Sequence, residues 1–216
     1  MAIRRGFWTL IPHYSRRVIR VIVWRVRDFP SELRLGIQTA GVIHTHRDVA
    51  REICSYGAIA YSTLRDIRRH LEVRGTSARR FVDMGCGLGR PLYFFADARF
   101  DELIGYEVTP ELFRAAQALL ARAKVVRRTY GKITLIQADG TTSLSLDRDL
   151  VLFLYNPFGA GPMRRLCDRI KQTHAKIQIY YANPIHSAVV EEVLRLKGER
   201  IDSFVPVEYY QYGPSE

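Results

Sequence analysis

Short apolar runs and amphipathic stretches alternate along the chain from about residue 79 onwards. Short apolar runs between turn residues are typical of buried strands, whereas apolar positions recurring every three or four residues are typical of helices. By these criteria strands are predicted at 79–84, 102–107, 132–137, 150–155, 176–182, 200–205 and 207–212. Helices are predicted at 91–98, 110–124, 162–173 and 186–197. This alternation predicts an α/β protein with a mostly parallel seven-stranded sheet covered by helices. The last two strands have no helix between them and are expected to form an antiparallel hairpin.

The residues before these strands follow a different pattern. Residues 28–31, DFPS, predict a turn, and residues 35–41 predict a loop or a short strand ending in glycine. Apolar residues in the range 48–71 recur at intervals of three and four, which predicts one or two amphipathic helices with Gly57 as the point of division. The RGTS sequence at 74–77 then predicts a boundary.

This boundary separates a mainly helical appendage or lid, residues 1–75, from a core, residues 76–216. The chain has a net charge of +11, and its first 75 residues hold 14 Arg against 6 Asp plus Glu. Such a basic segment favours an anionic partner such as RNA, an acidic protein or a lipid surface, with a solvated surface as the equal alternative. Residues 16–27 mix arginine with apolar residues without a clear period. Docking on the core, lying at a membrane surface and organelle targeting all fit that segment.

Composition narrows the class of protein and its compartment. With 47% hydrophobic and 25% charged residues and no apolar run of about 18 residues, the chain is that of a globular protein without a transmembrane helix. Cys54, Cys86 and Cys167 are widely spaced and form no C-x-x-C pair, which argues against a disulfide framework. His44 and His46 have no third ligand nearby in the sequence, so no metal site is predicted. We expect a cytoplasmic protein, with an organelle matrix or a membrane surface as alternatives.

A glycine-rich turn at residues 81–90, FVDMGCGLGR, is the strongest candidate for a binding site. Asp83 stands at the tip of a buried strand, and Pro91 opens the helix that follows. Glycine has no Cβ, so a ligand can approach the backbone of this turn, and the helix start supplies free N–H groups. The residues of the turn itself are Gly85, Cys86, Gly87 and Gly89, of which Cys86 is interpreted as a small filler rather than a nucleophile.

The spacing D-x-G-x-G-x-G in this turn resembles motif I of the class I methyltransferases that use S-adenosylmethionine (SAM). The dinucleotide fingerprint G-x-G-x-x-G would place its third glycine where this chain has Arg90. The resemblance implies a Rossmann-like fold with SAM as cofactor. It also implies that Asp83 contacts the amino group of the methionine moiety, against the turn formed by the glycines. An aspartate that only caps the turn is the competing interpretation.

Two further strand ends carry acids in the order of this family. Glu107 follows the second strand, and a carboxylate there can accept both hydroxyls of a ribose; the same spacing would serve NAD. Asp139 follows the third strand, where the resemblance implies a hydrogen bond from the amino group of adenine. An exposed acid at a strand end and a turn aspartate before Gly140 are the respective alternatives.

The fourth strand ends in Asn156, Pro157 and Phe158, which resemble the N-P-P-Y or N-P-P-F signature of methyltransferases that act on amino nitrogens. The asparagine carbonyl and a backbone carbonyl beside proline can each accept an N–H, and Phe158 can stack on a flat acceptor. One proline of the signature is missing, and a plain turn is the alternative. On the next strand, Tyr181 and Asn183 are further candidates for the acceptor pocket; the others are His186 on the same rim and, as a lid, Tyr61 with residues 38–41.

These residues lead to the expectation of an N-methyltransferase whose acceptor is a protein side chain, a nucleic-acid base or a small amine. Two alternatives stay open on the sequence. One is a SAM-dependent enzyme that methylates oxygen or carbon, and the other is a SAM-binding protein without turnover.

Overall fold

The computed structural model describes residues 28–39, 42–43, 56–123 and 131–213. Its helices are α1 (28–35), α2 (Tyr61–Arg74), α3 (Arg90–Phe94), α4 (Pro110–Leu120), α5 (Gly140–Ser143), α6 (Ala160–Ile170) and α7 (Ser187–Leu194). Its strands are β1 (Val42–Ile43), β2 (Tyr56–Gly57), β3 (Arg80–Met84), β4 (Glu102–Glu107), β5 (Lys132–Gln137), β6 (Leu150–Tyr155), β7 (Ile177–Ala182), β8 (Glu199–Ile201) and β9 (Val207–Tyr212).

Seven of these strands form one sheet in the order β5-β4-β3-β6-β7-β9-β8. The first five in this order pair in parallel, and β9 runs antiparallel to both β7 and β8. The chain leaves β3 towards β4 and β5 and later returns to the other side of β3 as β6. In open sheets, ligands bind beyond the carboxyl ends of the strands where the strand order reverses in this way. The expected parallel sheet with a terminal antiparallel hairpin is therefore confirmed, and it places a binding crevice between β3 and β6.

Burial on both faces explains why the strand sequences are continuous apolar runs. Every residue of β3 and β7 is buried, because helices cover both faces of the sheet. On one face Phe81 packs against Phe95 and Phe153, with ring centroids 4.7 Å and 6.4 Å apart. Helix α2 joins this cluster through buried Leu64 and Ile67. The described part of the appendage therefore shares the core of the sheet, while its division from the core at residue 75 stays a prediction.

Two local predictions before the sheet are wrong. Residues 28–31 form no turn but begin α1, since a proline near the start of a helix gives up only an N–H that would lack a partner there. Tyr56 and Gly57 are not helical: they pair antiparallel with Val42 and Ile43, so a long-range strand contact overrides the local helical period. Helix α2 starts only at Tyr61. The predictions for residues 16–27, His44, His46, Cys54 and the range 48–55 lie outside the described residues.

Smaller differences concern element ends. The one-turn helix α5 was not predicted, because four residues are too few for a periodic pattern. Strand β8 ends at Ile201 rather than 205, since the backbone N–H of Val205 turns aside to donate to Thr63 Oγ1, with a nitrogen–oxygen distance of 3.2 Å. In the part of the chain that the structure describes, no helix is long and apolar enough to cross a membrane.

Candidate functional site

A cavity of about 520 Å³ opens at the carboxyl ends of β3, β4 and β6. This volume lies in the usual range for small-molecule sites, about 300 to 1,000 Å³. Eight of the ten residues predicted for the site line the cavity, and the two others are Gly87 and Gly89. The fold thus brings together predicted residues that lie up to 75 positions apart in sequence, with Asp83 and Phe158 as the two extremes.

The glycine turn between β3 and α3 is built from three left-handed residues. Gly85, Gly87 and Gly89 have φ angles of 71°, 52° and 78°, a region that side chains with a Cβ rarely adopt. A Cβ on Gly85 would also lie 2.6 Å from the Cβ of Pro157. The turn therefore packs directly on the Asn-Pro-Phe segment, which brings the two strongest sequence motifs into contact.

Glu107 holds this turn in place. Its Oε2 accepts a hydrogen bond from the backbone N–H of Gly87 at 2.9 Å, and its Oε1 accepts one from the N–H of Thr109 at 2.8 Å. The side chain is buried at the end of β4 and lines the cavity. Each carboxylate oxygen can accept a second hydrogen bond, so Glu107 keeps the capacity to bind ribose hydroxyls. Gly87 does not line the cavity itself and contributes through Glu107.

Asp83 is a buried carboxyl group with one oxygen that is not hydrogen-bonded to any described residue. Its Oδ2 has no hydrogen-bond partner among the described residues. Burial, and secondly the nearby Glu107, raise the pKa of Asp83 well above its ordinary value. Burial beside the same two acids also raises the pKa of the Cys86 thiol, which keeps the thiol protonated and agrees with a filler role. A cationic donor from a ligand would satisfy Asp83, because it would supply both a hydrogen bond and a compensating charge.

Asp139 caps helix α5. Its Oδ1 accepts hydrogen bonds from the backbone N–H of Thr141 at 2.9 Å and from the Thr141 hydroxyl at 2.7 Å. Its Oδ2 lies 4.0 Å from Nη2 of Arg165, which also lines the cavity. The turn interpretation of Asp139 is thus realised, and its second oxygen still has lone pairs that can accept a hydrogen bond from a ligand amine.

The Asn156–Pro157–Phe158 segment closes another side of the cavity. Asn156 has a φ of 41°, a left-handed conformation that asparagine adopts more readily than most residues. Such conformations cost free energy and concentrate at functional sites. Phe158 is 8% exposed, packs in the core of the sheet's other face and also lines the cavity.

The structure separates the other rim candidates from the cavity. Tyr181 is fully buried, and its hydroxyl accepts a hydrogen bond from the backbone N–H of His186 at 3.2 Å. Asn183 adopts a φ of 50° in a turn, where its N–H donates to the carbonyl of Pro206 at 2.8 Å. None of these three residues lines the cavity. The second Asn-Pro dipeptide is therefore a turn, as the sequence favoured.

Some residues of the cavity wall were not predicted. Tyr155 and Arg165 lie on β6 and α6, next to residues that the motifs identified. The wall also includes Gly57, Ala58 and Ile59, which precede α2. No local signal identifies these three: Gly57 pairs with Val42, and Ala58 and Ile59 follow it outside any element. Of the proposed lid, Thr39 and Tyr61 contact Arg90 rather than the cavity; residues 40 and 41 lie outside the described residues.

Solved structures of other proteins share this architecture. No protein-family model matches the chain, and no curated protein matches it in sequence. Among solved structures, a protein of Pyrococcus horikoshii superposes with a TM-score of 0.52 at 12% identity, over 72% of this chain and 91% of that one. A SAM-dependent methyltransferase of Leishmania major gives 0.50 at 11% identity, over 70% and 71%. The expected fold is thereby confirmed, and the chain has the fold of the class I SAM-dependent methyltransferases.

Proposed function

We propose that this protein binds SAM in the cavity between β3, β4 and β6 and transfers its methyl group to an amino nitrogen of an acceptor. The observation that supports this most directly is the meeting of Asp83, Glu107 and Asn156 around one cavity. In the motifs that the sequence resembles, residues at these strand ends contact the methionine end, the ribose and the acceptor, which supports the proposal.

The residues present fit SAM chemically. The buried Oδ2 of Asp83 suits the α-amino group of the methionine moiety, since a carboxyl without a partner gains from a cationic donor. Glu107 has oxygen lone pairs for the ribose hydroxyls, and Asp139 offers its Oδ2 to an adenine amino group. The glycine turn leaves the backbone open to close approach. SAM, when bound, supplies a methyl group activated by a sulfonium.

Asn156 is the proposed acceptor-binding residue. Its side-chain carbonyl and the backbone carbonyls on either side of Pro157 can accept N–H groups, which fixes the direction of the nitrogen lone pair. The nitrogen must be neutral to act as a nucleophile, and uncharged acceptor oxygens stabilise the competing ammonium form less than a carboxylate would. Alignment of two reactants in this way is a large part of the rate acceleration available to a methyl-transfer enzyme.

Labelling tests this proposal. The protein is incubated with SAM carrying an isotopic methyl group and with lysate separated into protein, RNA and small-molecule fractions. Label on nitrogen in one fraction, absent with the Asn156→Ala variant, is the expected result. Calorimetry that shows no binding of SAM or of its demethylated product S-adenosylhomocysteine, with binding of a nicotinamide dinucleotide instead, would refute the proposal.

A second candidate is methylation of oxygen or carbon. It rests on the departure of Asn156–Pro157–Phe158 from the two-proline signature, since the missing proline removes one rigid residue beside the acceptor. The labelling experiment separates the two, because methyl carbons bound to nitrogen, to oxygen and to carbon differ in their carbon NMR chemical shifts. The arginine-rich residues 1–27 support, as a further part of the proposal, an anionic acceptor or partner such as RNA.

A further inference from the structure

Arg90 is a fully buried cation at the start of α3, directly after the glycine turn. Only 1% of its surface is exposed, and charged side chains are almost never buried to this extent unless they are paired. Its guanidinium lies 4.5 Å above the ring of Tyr61. Its N–H groups donate to four oxygens: Asp28 Oδ2 at 2.5 Å, Ile59 O at 2.7 Å, Glu32 Oε1 at 3.0 Å and Thr39 Oγ1 at 2.6 Å.

All of these partners come from the part of the chain that precedes β3. Two of them, Asp28 and Glu32, lie one helical turn apart on α1. Glu32 Oε1 also accepts from the N–H and the hydroxyl of Thr39, at 2.7 Å and 2.8 Å. Burial raises the pKa of Asp28 despite the opposing charge of Arg90. In this network one side chain, that of Arg90, ties three separate stretches to α3.

A network of this kind is poorly explained by stability alone. Apolar residues of similar volume often stabilise a core as well as a buried ion pair does, because burial of charge is costly. The benefit of such a network is a defined position for the groups it joins. Here the joined backbone includes the carbonyl of Ile59, and Gly57, Ala58 and Ile59 are the wall residues that no sequence motif predicted. Arg90 itself lines the same cavity as Asp83.

We propose that Arg90 is a positioning residue that fixes residues 57–59 as a wall of the SAM cavity, so that cofactor affinity depends on the side chain that directly follows the D-x-G-x-G-x-G motif. This inference rests on the proposed function. Loosening the guanidinium would move the wall and admit water to the cavity, which weakens the contacts of a ligand with Asp83 and Glu107. The effect would appear in binding even before an acceptor is known.

The chain supplies a matched control in Arg80. This second buried arginine is 7% exposed and also bonds two carboxylates, Glu102 at 2.7 Å and Asp147 at 2.9 Å. It lies at the amino end of β3, whereas the cavity lies beyond the carboxyl end of that strand. A comparison of Arg90→Lys with Arg80→Lys therefore separates an effect on the cavity from the general cost of disturbing a buried guanidinium.

The test measures the Kd of S-adenosylhomocysteine by calorimetry on folded protein, with thermal unfolding recorded for each variant. We expect Arg90→Lys to raise Kd about tenfold, since lysine cannot reproduce several directed hydrogen bonds. Thr39→Val removes one hydroxyl from the network without changing side-chain shape and should raise Kd by about threefold. Arg80→Lys should leave Kd within about twofold of the wild-type value, even if its unfolding temperature falls as much as that of Arg90→Lys.

Unchanged affinity in both Arg90→Lys and Thr39→Val, or an equal loss in Arg80→Lys, overturns the positioning role. If Arg90→Lys does not fold, Thr39→Val with Arg80→Lys still decides between the outcomes. Wild-type protein that binds neither SAM nor S-adenosylhomocysteine overturns the proposed function instead. Hydrogen exchange without ligand then tests the positioning role separately: it should quicken at residues 57–60 in Thr39→Val and stay unchanged there in Arg80→Lys, and the opposite pattern refutes it.

Discussion

The two ends of the parallel strands differ in how far their charged side chains are satisfied by partners within the protein. At the amino ends, charged side chains pair with each other: Arg79 bonds Asp101, and Arg80 bonds Glu102 and Asp147. At the carboxyl ends, the Oδ2 of Asp83 lacks a hydrogen-bond partner among the described residues. Both ends belong to the same strands, so the difference lies in the groups that each end leaves for a ligand to bind.

This contrast has an energetic meaning. A satisfied ion pair at the amino end contributes to stability or is neutral, whereas a buried carboxyl without a donor costs free energy in the free protein. Left-handed backbone at Asn156 and in the glycine turn adds to that cost. A fold keeps such features where a ligand restores the lost interactions. Changes at the carboxyl end should therefore affect ligand binding and turnover, and changes at the amino end should affect folding.

The largest expected effect concerns Asn156. Asn156→Ala should lower the rate of methyl transfer about 100-fold to 1,000-fold, because it removes an oxygen that orients the nucleophile, while the Kd for SAM changes by less than about threefold. Single-turnover kinetics and calorimetry measure the two quantities. Asn183→Ala is the matched control, since Asn183 shares the left-handed backbone and the following proline but lies outside the cavity. Equal losses of rate in both variants would contradict a role of Asn156 in transfer.

Glu107 gives the next largest effect. Glu107→Ala should raise the Kd for SAM by about 100-fold, through loss of the ribose contacts and of the bond that holds Gly87. Glu102, at the amino end of the same strand, is the control, and Glu102→Ala should leave that Kd unchanged. Calorimetry decides, and unaltered SAM binding in Glu107→Ala would contradict the ribose assignment.

At the amino end the expected effect is on folding. Arg80→Ala leaves Glu102 and Asp147 without their buried partner and should lower the free energy of unfolding by about 2 kcal/mol. The loss is no larger because both carboxylates are half exposed and can be hydrated. Urea titration followed by circular dichroism measures this change. The affinity for SAM at a temperature where the variant is folded should not change. A loss of affinity there would break the contrast between the two ends.

The sequence predicted the parts of this site that follow from local pattern. Asp83, Glu107 and Asn156 each stand directly after an apolar run, and parallel strands bring such residues to one edge. The wall formed by Gly57 to Ile59 instead involves long-range contacts, the pairing of Gly57 with Val42 and the bond from Arg90 to Ile59, which no short window of sequence records. The network of Arg90 is likewise long-range, since its partner Asp28 lies 62 positions away. The one local signal was an arginine where the dinucleotide fingerprint requires glycine. It argues against a dinucleotide-binding turn but does not indicate the partners of Arg90.

The smallest predicted effect concerns the protonation of Asp83. Burial and Glu107 raise the pKa of this carboxyl in the free protein, and the ammonium group of SAM should lower it in the complex by favouring the charged form. Between these two pKa values binding releases a proton, so SAM affinity should rise with pH, by at most about tenfold per unit, and level off above the raised pKa. Calorimetry below about pH 7, where the α-amino group of SAM stays protonated, measures the slope and, in buffers of different ionisation enthalpy, the released proton. Asp83→Asn should bind more weakly with a flat profile, because the amide keeps nearly the shape of the carboxyl but does not ionise. A wild-type affinity independent of pH, or a slope that survives in Asp83→Asn, would show that the unpaired carboxyl at the carboxyl end of β3 is not what SAM neutralises.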